Sequence, residues 1–238
     1  MSVQTQIDRL NKAKSDLKTS ITNKGVAVSD DALISDYPAL VDSIQTGGGG
    51  NVFDASLGGK LAYSTFETLP YNIINTSQVT NMYYLFGSCQ RLTSLDLSNF
   101  NTSNVTNMGS MFDYCVRLTS LDLSSFNTSN VRDMDSMFSD CWALTSLDLS
   151  SFDTSNVTNM SRMFDYCGKL ETLDLSNFNT DAVNTSGHAS IFKDCTKLTT
   201  VKVINCNDTT KQFILTQLQT DIKTKTWTLG EDGIIRSS

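Results

Sequence analysis

The stretch Leu92-Thr-Ser-Leu-Asp-Leu-Ser98 decides the fold of this 238-residue chain, because it recurs at a fixed interval. Related copies begin at Leu118, Leu144 and Leu170, each 26 residues after the one before, and a weaker copy begins at Leu198 after 28 residues. The two extra residues fall within 184–190. Self-similarity at a period of this length is typical of repeat proteins, in which each repeat packs against its two neighbours.

The residue types within one period predict how it folds. The first, fourth and sixth residues of the phrase are apolar and are expected to point inward from a short strand. Four more apolar residues follow at helical spacing: Val105, Met108, Phe112 and Cys115. They predict one face of a helical turn, which Thr102 or Ser103 can cap. We therefore expect an α/β solenoid of the leucine-rich repeat type, with 26-residue coils and a short parallel sheet.

The chain divides into four predicted segments. They are a small α-helical module for attachment or oligomerisation at 1–46, a Gly-rich linker at 47–59, the solenoid of about five to six coils at 60–206, and a C-terminal α+β cap at 207–238. Within the cap, Asn207 to Thr209 can begin a helix. The sequence Gly230-Glu-Asp-Gly233 between two apolar runs predicts a β-hairpin.

Residues 1–46 contain an apolar seam. Its members alternate in steps of four and three residues: Val3, Ile7, Leu10, Lys14, Leu17 and Ile21. This spacing is typical of a coiled coil and predicts a homo-oligomer, either dimer or trimer. An intrachain helix pair, with apolar residues of 26–44 covering the same stripe after a turn at Gly25, also explains the pattern.

Composition and charge argue against several classes of function. The net charge is −7, and residues 47–206 carry 9 basic against 15 acidic side chains, which argues against a nucleic-acid-binding surface. No stretch approaches the ~18 apolar residues of a membrane span. The first residues also lack the basic and apolar regions of a secretory signal peptide. About a third of the chain is Ser, Thr or Asn, which we attribute to polar corners in every repeat.

We expect no enzymatic activity, because catalysis requires unlike groups to converge and the polar residues here recur in columns of identical side chains. The single histidine, His188, lies seven residues before Cys195, but that cysteine occupies an apolar phase of the repeat. Five of the six cysteines share this phase: Cys89, Cys115, Cys141, Cys167 and Cys195. We expect a buried ladder of thiols rather than disulfides or a metal site.

Four aspartates occupy the fifth position of the phrase: Asp96, Asp122, Asp148 and Asp174. They lie between inward leucines, so we expect them to point outward and to stack about 4.8 Å apart. Unit charges at that distance repel by roughly 1 kcal/mol in water, and something must offset this repulsion. Either backbone amides or hydroxyls such as those of Ser94, Ser120 and Ser146 solvate the carboxylates, or the row binds a cation such as calcium or a hydroxyl-rich ligand.

A second candidate ligand-binding set is aromatic. Tyr114, Trp142 and Tyr166 lie next to the cysteines, where small residues are common in the other copies. Amphipathic rings stack on sugars and anchor protein partners. The alternative interpretation is that they are exposed corner residues with no partner.

The repeats resemble the BspA-like leucine-rich repeats of bacterial surface proteins. The consensus Leu-Asp-Leu-Ser-x-Phe-Asn-Thr-Ser-x-Val-x-x-Met-x-x-Met-Phe-x-x-Cys is met at 95–115, 121–141 and 147–167, and the copy from Leu173 departs from it after Val183. Residues 1–46 resemble N-terminal segments of phage tail and virion proteins. The matching residues are Leu10, Ala13, Lys14, Leu17, Lys18, Lys24 to Val26, Val28, Asp36, Tyr37, Leu40 and Val41.

Together these resemblances imply a non-enzymatic phage virion protein of a tail, baseplate or fibre, assembled in the host cytoplasm. Residues 1–46 would contact other virion proteins, and the repeats would recognise a host-surface glycan or protein. We expect no cofactor, no nucleic acid and no membrane insertion. A bacterial adhesin of the BspA-like type and a purely structural virion decoration are the alternatives.

Overall fold

The computed structural model describes residues 61–62, 64, 76–184 and 186–238. The predicted N-terminal seam and the Gly-rich segment 47–59 lie outside the described residues and stay predictions. In the part that is described, no helix has both the length and the apolar character needed to cross a membrane.

Five short strands form one mixed, open sheet in the described part of the chain. Three come from the repeated phrase and two from a hairpin: β1 (Ser146–Asp148), β2 (Thr172–Asp174), β3 (Thr200–Lys202), β4 (Trp227–Leu229) and β5 (Ile234–Ser237). The order is β1-β2-β3-β5-β4, with β1 to β3 parallel and β5 antiparallel to both its neighbours. Leu147, Leu173, Val201 and Ile235 pair in register and are buried, so one face of the sheet covers the core.

The sheet is shorter than predicted, because the phrases that begin at Leu92 and Leu118 do not pair as strands. The Thr119 N–H lies 3.5 Å from the Thr93 carbonyl oxygen, whereas the equivalent bond from Glu171 to Thr145 measures 2.8 Å. Leu121 is only half-buried there. The backbones separate where the leucine packs less deeply.

The C-terminal elements lie where the sequence predicts them. Helix α1 (Asp208–Asp221) begins after Asn207, whose side chain accepts a hydrogen bond from the Thr210 N–H at 2.7 Å. This bond satisfies one of the free amides at the helix start. Gly233 turns the β4–β5 hairpin with φ of 71°, a conformation that favours glycine, and a Cβ there would lie 2.9 Å from the Ile204 Cα.

The predicted helical turn is wrong: residues 102–115 form successive tight turns instead. The N–H groups of Met108 and Ser110 donate to carbonyls of the next repeat, at Asp133 (2.9 Å) and Asp135 (2.6 Å). The Met111 N–H closes a local turn onto Met108 at 3.2 Å. An α-helix keeps its donors within itself, so alternating outward bonds exclude one here. Ser110, whose N–H donates to the next repeat, has a left-handed φ of 54°, which an α-helix does not contain.

A column of buried threonines joins consecutive repeats. The Thr102 hydroxyl donates to the Asn127 carbonyl at 3.0 Å and accepts the Asn127 N–H at 2.8 Å. Equivalent donor bonds are made by Thr76, Thr128 and Thr154. At the C-terminal end the Thr210 hydroxyl accepts the Thr180 N–H at 3.0 Å, which attaches α1 to the column. The hydroxyl expected to cap a helical turn therefore links repeats.

Two further columns fill the interior. The rings of Phe86, Phe112, Phe138, Phe164 and Phe192 stack with neighbouring centroids 5.6 to 5.8 Å apart. All six cysteines are free and buried, which confirms the predicted core ladder. Each thiol donates to a backbone carbonyl, as Cys141 does to Phe112 at 3.3 Å. Burial raises the pKa of Cys89 to about 11, so this thiol stays protonated as a hydrogen-bond donor.

The two extra residues change the contacts of the last repeat. Gly187 lies so close to the preceding repeat that a Cβ would sit 2.2 Å from the Thr158 carbonyl oxygen. His188 packs edge-on against Phe213 of α1, with ring centroids 5.7 Å apart. The Cys195 thiol donates to the Phe164 carbonyl at 2.9 Å, so its hydrogen bond goes to the backbone rather than to His188.

Candidate ligand-binding face

Four large aromatic side chains are exposed in the described part of the repeats. Their exposed fractions are 48% for Tyr83, 43% for Tyr114, 53% for Trp142 and 41% for Tyr166. Three of them are the aromatic residues singled out in the sequence. Tyr83 was not singled out in the sequence. Its ring packs over Gly109, 3.2 Å from the position that a Cβ would take there. The glycine at that register, where the next repeat has Asp135, is the signal that could have found it.

Hydrogen bonds between repeats place Tyr114, Asp140 and Tyr166 in one row. The Tyr114 N–H donates to the Ser139 carbonyl at 2.9 Å, next to Asp140, and the Asp140 N–H donates to the Asp165 carbonyl at 2.8 Å, next to Tyr166. The indole N–H of Trp142 donates to the Asp140 carboxylate at 3.0 Å. The structure thus brings the predicted aromatic residues together. We call Tyr114, Asp140, Trp142 and Tyr166 the aromatic face.

Carboxyl groups that sequence reasoning missed adjoin the aromatic face. Asp113 and Asp165 each precede a tyrosine of the face. Burial raises the pKa of Asp113 to about 6, although the Ser139 hydroxyl bond opposes the shift. Asp165 is only 7% exposed, and its Oδ1 has no hydrogen-bond partner among the described residues; burial raises its pKa as well. The sequence shows that an aspartate precedes each of these tyrosines, but nothing in this pattern indicates that the aspartate is buried.

A basic side chain also approaches the face. The Lys193 Nζ lies 5.2 Å from the centroid of the Tyr166 ring and 4.0 Å from an Asp194 carboxylate oxygen. Rings, carboxylates and an ammonium group therefore share this surface. Such groups can stack on the apolar face of a sugar and bind its hydroxyls.

The aspartate row is solvated by its own loops. Each carboxylate accepts the backbone N–H of the serine two residues later, at distances of 2.9 to 3.1 Å: Asp96 with Ser98, Asp122 with Ser124, Asp148 with Ser150, and Asp174 with Ser176. The backbone-amide alternative is confirmed, but the hydroxyls of Ser94, Ser120 and Ser146 are not the ones that bind. The pKa values of Asp96, Asp122 and Asp148 are lowered by hydrogen bonds from the serine two residues later. The bond from its hydroxyl has the larger effect and the bond from its backbone N–H the smaller.

The end of the row carries a counter-charge. The Lys202 Nζ lies 3.1 Å from a carboxylate oxygen of Asp174. Across residues 61–62, 64, 76–184 and 186–238, no group of three or more His, Cys, Asp or Glu side chains is arranged to hold a metal ion. The repulsion expected within the row is thus offset by local hydrogen bonds and, at Asp174, by a lysine.

Comparison with known proteins identifies the family of the repeats. A family model described as "Mycoplasma protein of unknown function, DUF285" matches residues 61–147 and 119–224. The chain belongs to the DUF285 family. No curated protein and no solved structure matches it. The family match spans the aromatic face, the aspartate row and helix α1, and it ends before the β4–β5 hairpin.

The raised pKa of Asp113 predicts a pH dependence of stability. A carboxyl whose folded pKa is about 6 binds its proton more tightly in the folded state, so the folded protein gains stability as pH falls from 7 towards 4. We expect Asp113→Asn to raise the free energy of unfolding at pH 7.5 by about 1 kcal/mol, allowing for solvent screening, with no gain near pH 4. Urea unfolding at both pH values measures this difference.

Asp153→Asn is the matched control, because hydrogen bonds from Ser155 lower the pKa of Asp153. This substitution should destabilise the protein at pH 7.5 and lose its effect as pH falls through that lowered pKa. If Asp113→Asn destabilises equally at both pH values, burial of the charge is not what shifts the Asp113 pKa.

Proposed function

We propose that this chain is a non-enzymatic binding protein whose repeats present the aromatic face to a glycan on a cell surface. The observation that carries the proposal is the exposure of Tyr114, Trp142 and Tyr166 at neighbouring positions of a hydrogen-bonded scaffold. Leaving large rings half in water forgoes apolar burial, so folding alone does not account for them. Rigid exposed rings lose little conformational entropy on binding, which favours recognition.

We also propose that the repeats form an elongated solenoid of the leucine-rich repeat type. Parallel bridges join Asn81 to Asn107, Asn107 to Asp133 and Asp133 to Asn159, one repeat apart each time. The stacked phenylalanines and the threonine column follow the same progression. In such an architecture outward residues can vary while the core columns stay constant, which suits a recognition surface.

Residues 1–46 indicate the kind of particle on which this protein would bind its ligand. Their resemblance to phage tail and virion segments supports a virion protein of a tail, baseplate or fibre. In that setting residues 1–46 dock on other virion proteins and form homo-oligomers, and several weak contacts then gain avidity. A bacterial adhesin of the BspA-like type is the second candidate, and the resemblance of residues 95–115, 121–141 and 147–167 to the BspA-like consensus supports it.

Binding of the purified full chain to an array of neutral and anionic polysaccharides and to bacterial envelope fractions tests the proposal. We expect the double variant Tyr114→Ala, Trp142→Ala to bind the recognised glycan at least about tenfold more weakly, because exposed aromatic anchors dominate such contacts. The control Ile204→Ala, Leu229→Ala removes exposed apolar side chains at the C-terminal end and should leave binding unchanged.

Two outcomes contradict the proposal. Undiminished binding by a folded double variant would remove the aromatic face from recognition. Absence of wild-type binding to every polysaccharide and envelope fraction would favour a structural decoration.

A further inference from the structure

A row of basic side chains runs along the repeats next to the aromatic face. Each member directly precedes the leucine that opens a phrase: Arg91, Arg117, Lys169 and Lys197. All four are exposed, and the leucines after them are buried, so the side chains occupy equivalent positions in successive repeats. The repeat in the middle has Ala143 at this position. We call these four side chains the cationic row.

A fifth basic residue extends the row past the last repeat. The Lys225 Nζ donates to the carbonyl of Leu198, the residue that follows Lys197. Burial and then the nearby charge of Lys197 lower the pKa of Lys225. The Lys225 ammonium group therefore lies near Lys197, at the C-terminal end of the cationic row.

Three side chains of the cationic row, those of Arg117, Lys169 and Lys197, form no ion pair with another described residue. The ion pairs among the described residues join Lys193 to Asp194, Lys202 to Asp174, Lys211 to Asp208 and Arg236 to Asp232. None of these pairs includes Arg117, Lys169 or Lys197. Lys169 and Lys197 occupy successive repeats, where like charges repel, and no ion pair with a described carboxylate offsets that repulsion.

The basic side chains of this acidic region are concentrated in the cationic row. Residues 47–206 carry 9 basic side chains against 15 acidic ones, yet four of the nine lie in the cationic row. An aspartate of the aspartate row follows five residues after Arg91, Arg117 and Lys169, whereas Lys202 takes that position after Lys197. A basic strip beside a row of carboxylates attracts an anion along the strip and repels it from the carboxylate side.

The gap in the row coincides with the most exposed ring. Trp142, 53% exposed, immediately precedes Ala143. A sugar ring can stack on the indole at the point where the basic side chain is missing. Cations on both sides of the gap can bind anionic groups of a polymer, and the indole within the gap can stack on one of its pyranose rings.

We propose that the cationic row, together with Trp142, binds a linear anionic glycan that lies along the repeats. This inference rests on the proposed function and specifies the charge and shape of its ligand. Cations at equivalent positions of repeats about 4.8 Å apart, interrupted once at Ala143, match a polymer better than a single anion. A nucleic-acid duplex is broader than the row and would bring its phosphates over the flanking aspartates.

The test uses the full chain and three probes: dextran sulfate, neutral dextran and a double-stranded DNA oligonucleotide. We expect binding to dextran sulfate that weakens at least about tenfold between 50 and 300 mM NaCl, because counterions are released from the polyanion. Neutral dextran should bind less tightly, and so should the oligonucleotide.

The triple variant Arg117→Gln, Lys169→Gln, Lys197→Gln should bind dextran sulfate at least about tenfold more weakly and with a shallower salt dependence. The control Arg132→Gln, Lys202→Gln, Lys211→Gln makes the same change in net charge outside the row and should weaken binding less than about twofold. Circular dichroism and the melting temperature establish that both variants are folded.

The outcomes separate the two proposals. Equal losses in the row variant and the control would overturn the cationic row while leaving the proposed function intact. So would binding confined to neutral glycans, or an oligonucleotide affinity equal to that for dextran sulfate. Loss of binding to every glycan in the Tyr114→Ala, Trp142→Ala variant together with a row-dependent dextran sulfate response supports both, whereas no glycan binding by the wild type overturns both.

Discussion

Phe138→Ala is expected to lower the free energy of unfolding by about 4 kcal/mol. The ring is fully buried, and it stacks between Phe112 at 5.7 Å and Phe164 at 5.8 Å. Both neighbours are held at fixed spacing, because the Phe112 and Phe138 N–H groups donate to the following repeats at 3.0 and 2.9 Å. The cavity left by the ring therefore cannot close by a local shift. Urea unfolding followed by far-ultraviolet circular dichroism measures the loss.

Phe138→Leu is the matched control, because it keeps an apolar side chain in the stack. We expect it to cost about 1 to 1.5 kcal/mol, much less than alanine. If alanine costs less than about 1 kcal/mol, the phenylalanine column does not carry the packing between repeats.

Thr154→Val is expected to lower the free energy of unfolding by about 2 to 3 kcal/mol. The substitution keeps the shape of a fully buried side chain but removes its hydroxyl. That hydroxyl donates to the Asn179 carbonyl and accepts the Asn179 N–H, both at 2.8 Å. Valine leaves a donor and an acceptor of the next repeat without partners in a partly buried place.

Thr154→Ser separates the hydrogen bonds from the packing, because serine keeps the hydroxyl and loses only the methyl group. We expect it to cost about 1 kcal/mol. Parallel urea titrations of the two variants give the comparison. Equal losses would mean that the methyl group, rather than the pair of hydrogen bonds, stabilises the junction between repeats.

The core columns could be predicted because periodicity alone assigns them. Cys141 and Phe138 each recur in an apolar phase of their own, and a phase that is apolar in every repeat is expected to be buried in all of them. Helix α1 was equally predictable, since Asn207 is a capping residue followed by an apolar pattern.

The helical turn before each phrase was wrongly predicted for a specific physical reason. The spacing of Met108 and Phe112 fits one face of a helix, and it fits a run of turns equally well. What decides between them is the destination of the backbone N–H of residues such as Ser110, which bonds to the next repeat. A backbone donor is the same in every residue type, so the sequence carries no mark of its partner.

The candidate ligand-binding face was partly predictable from the repeat positions of its residues. Tyr114, Trp142 and Tyr166 departed from the small residues at their positions, and the structure exposes all three. Burial of Asp165 and the pairing of Trp142 with Asp140 depend on which side chains adjacent repeats place together. The phase of the cationic row is visible in the sequence, with one gap at Ala143. The absence of ion pairs between Lys169 or Lys197 and another described residue is visible only in the structure.

The sequence by itself determined the period, the apolar columns, the C-terminal helix and hairpin, and the phase of the exposed aromatic residues. These follow from spacing, because a residue type that recurs at one phase meets the same surroundings in each repeat. Only the tertiary structure decided which backbone groups bond between repeats and which carboxyl groups are buried beside the rings. Those properties arise from contacts between residues about 25 positions apart, and the register of such contacts is set by the packed chain as a whole.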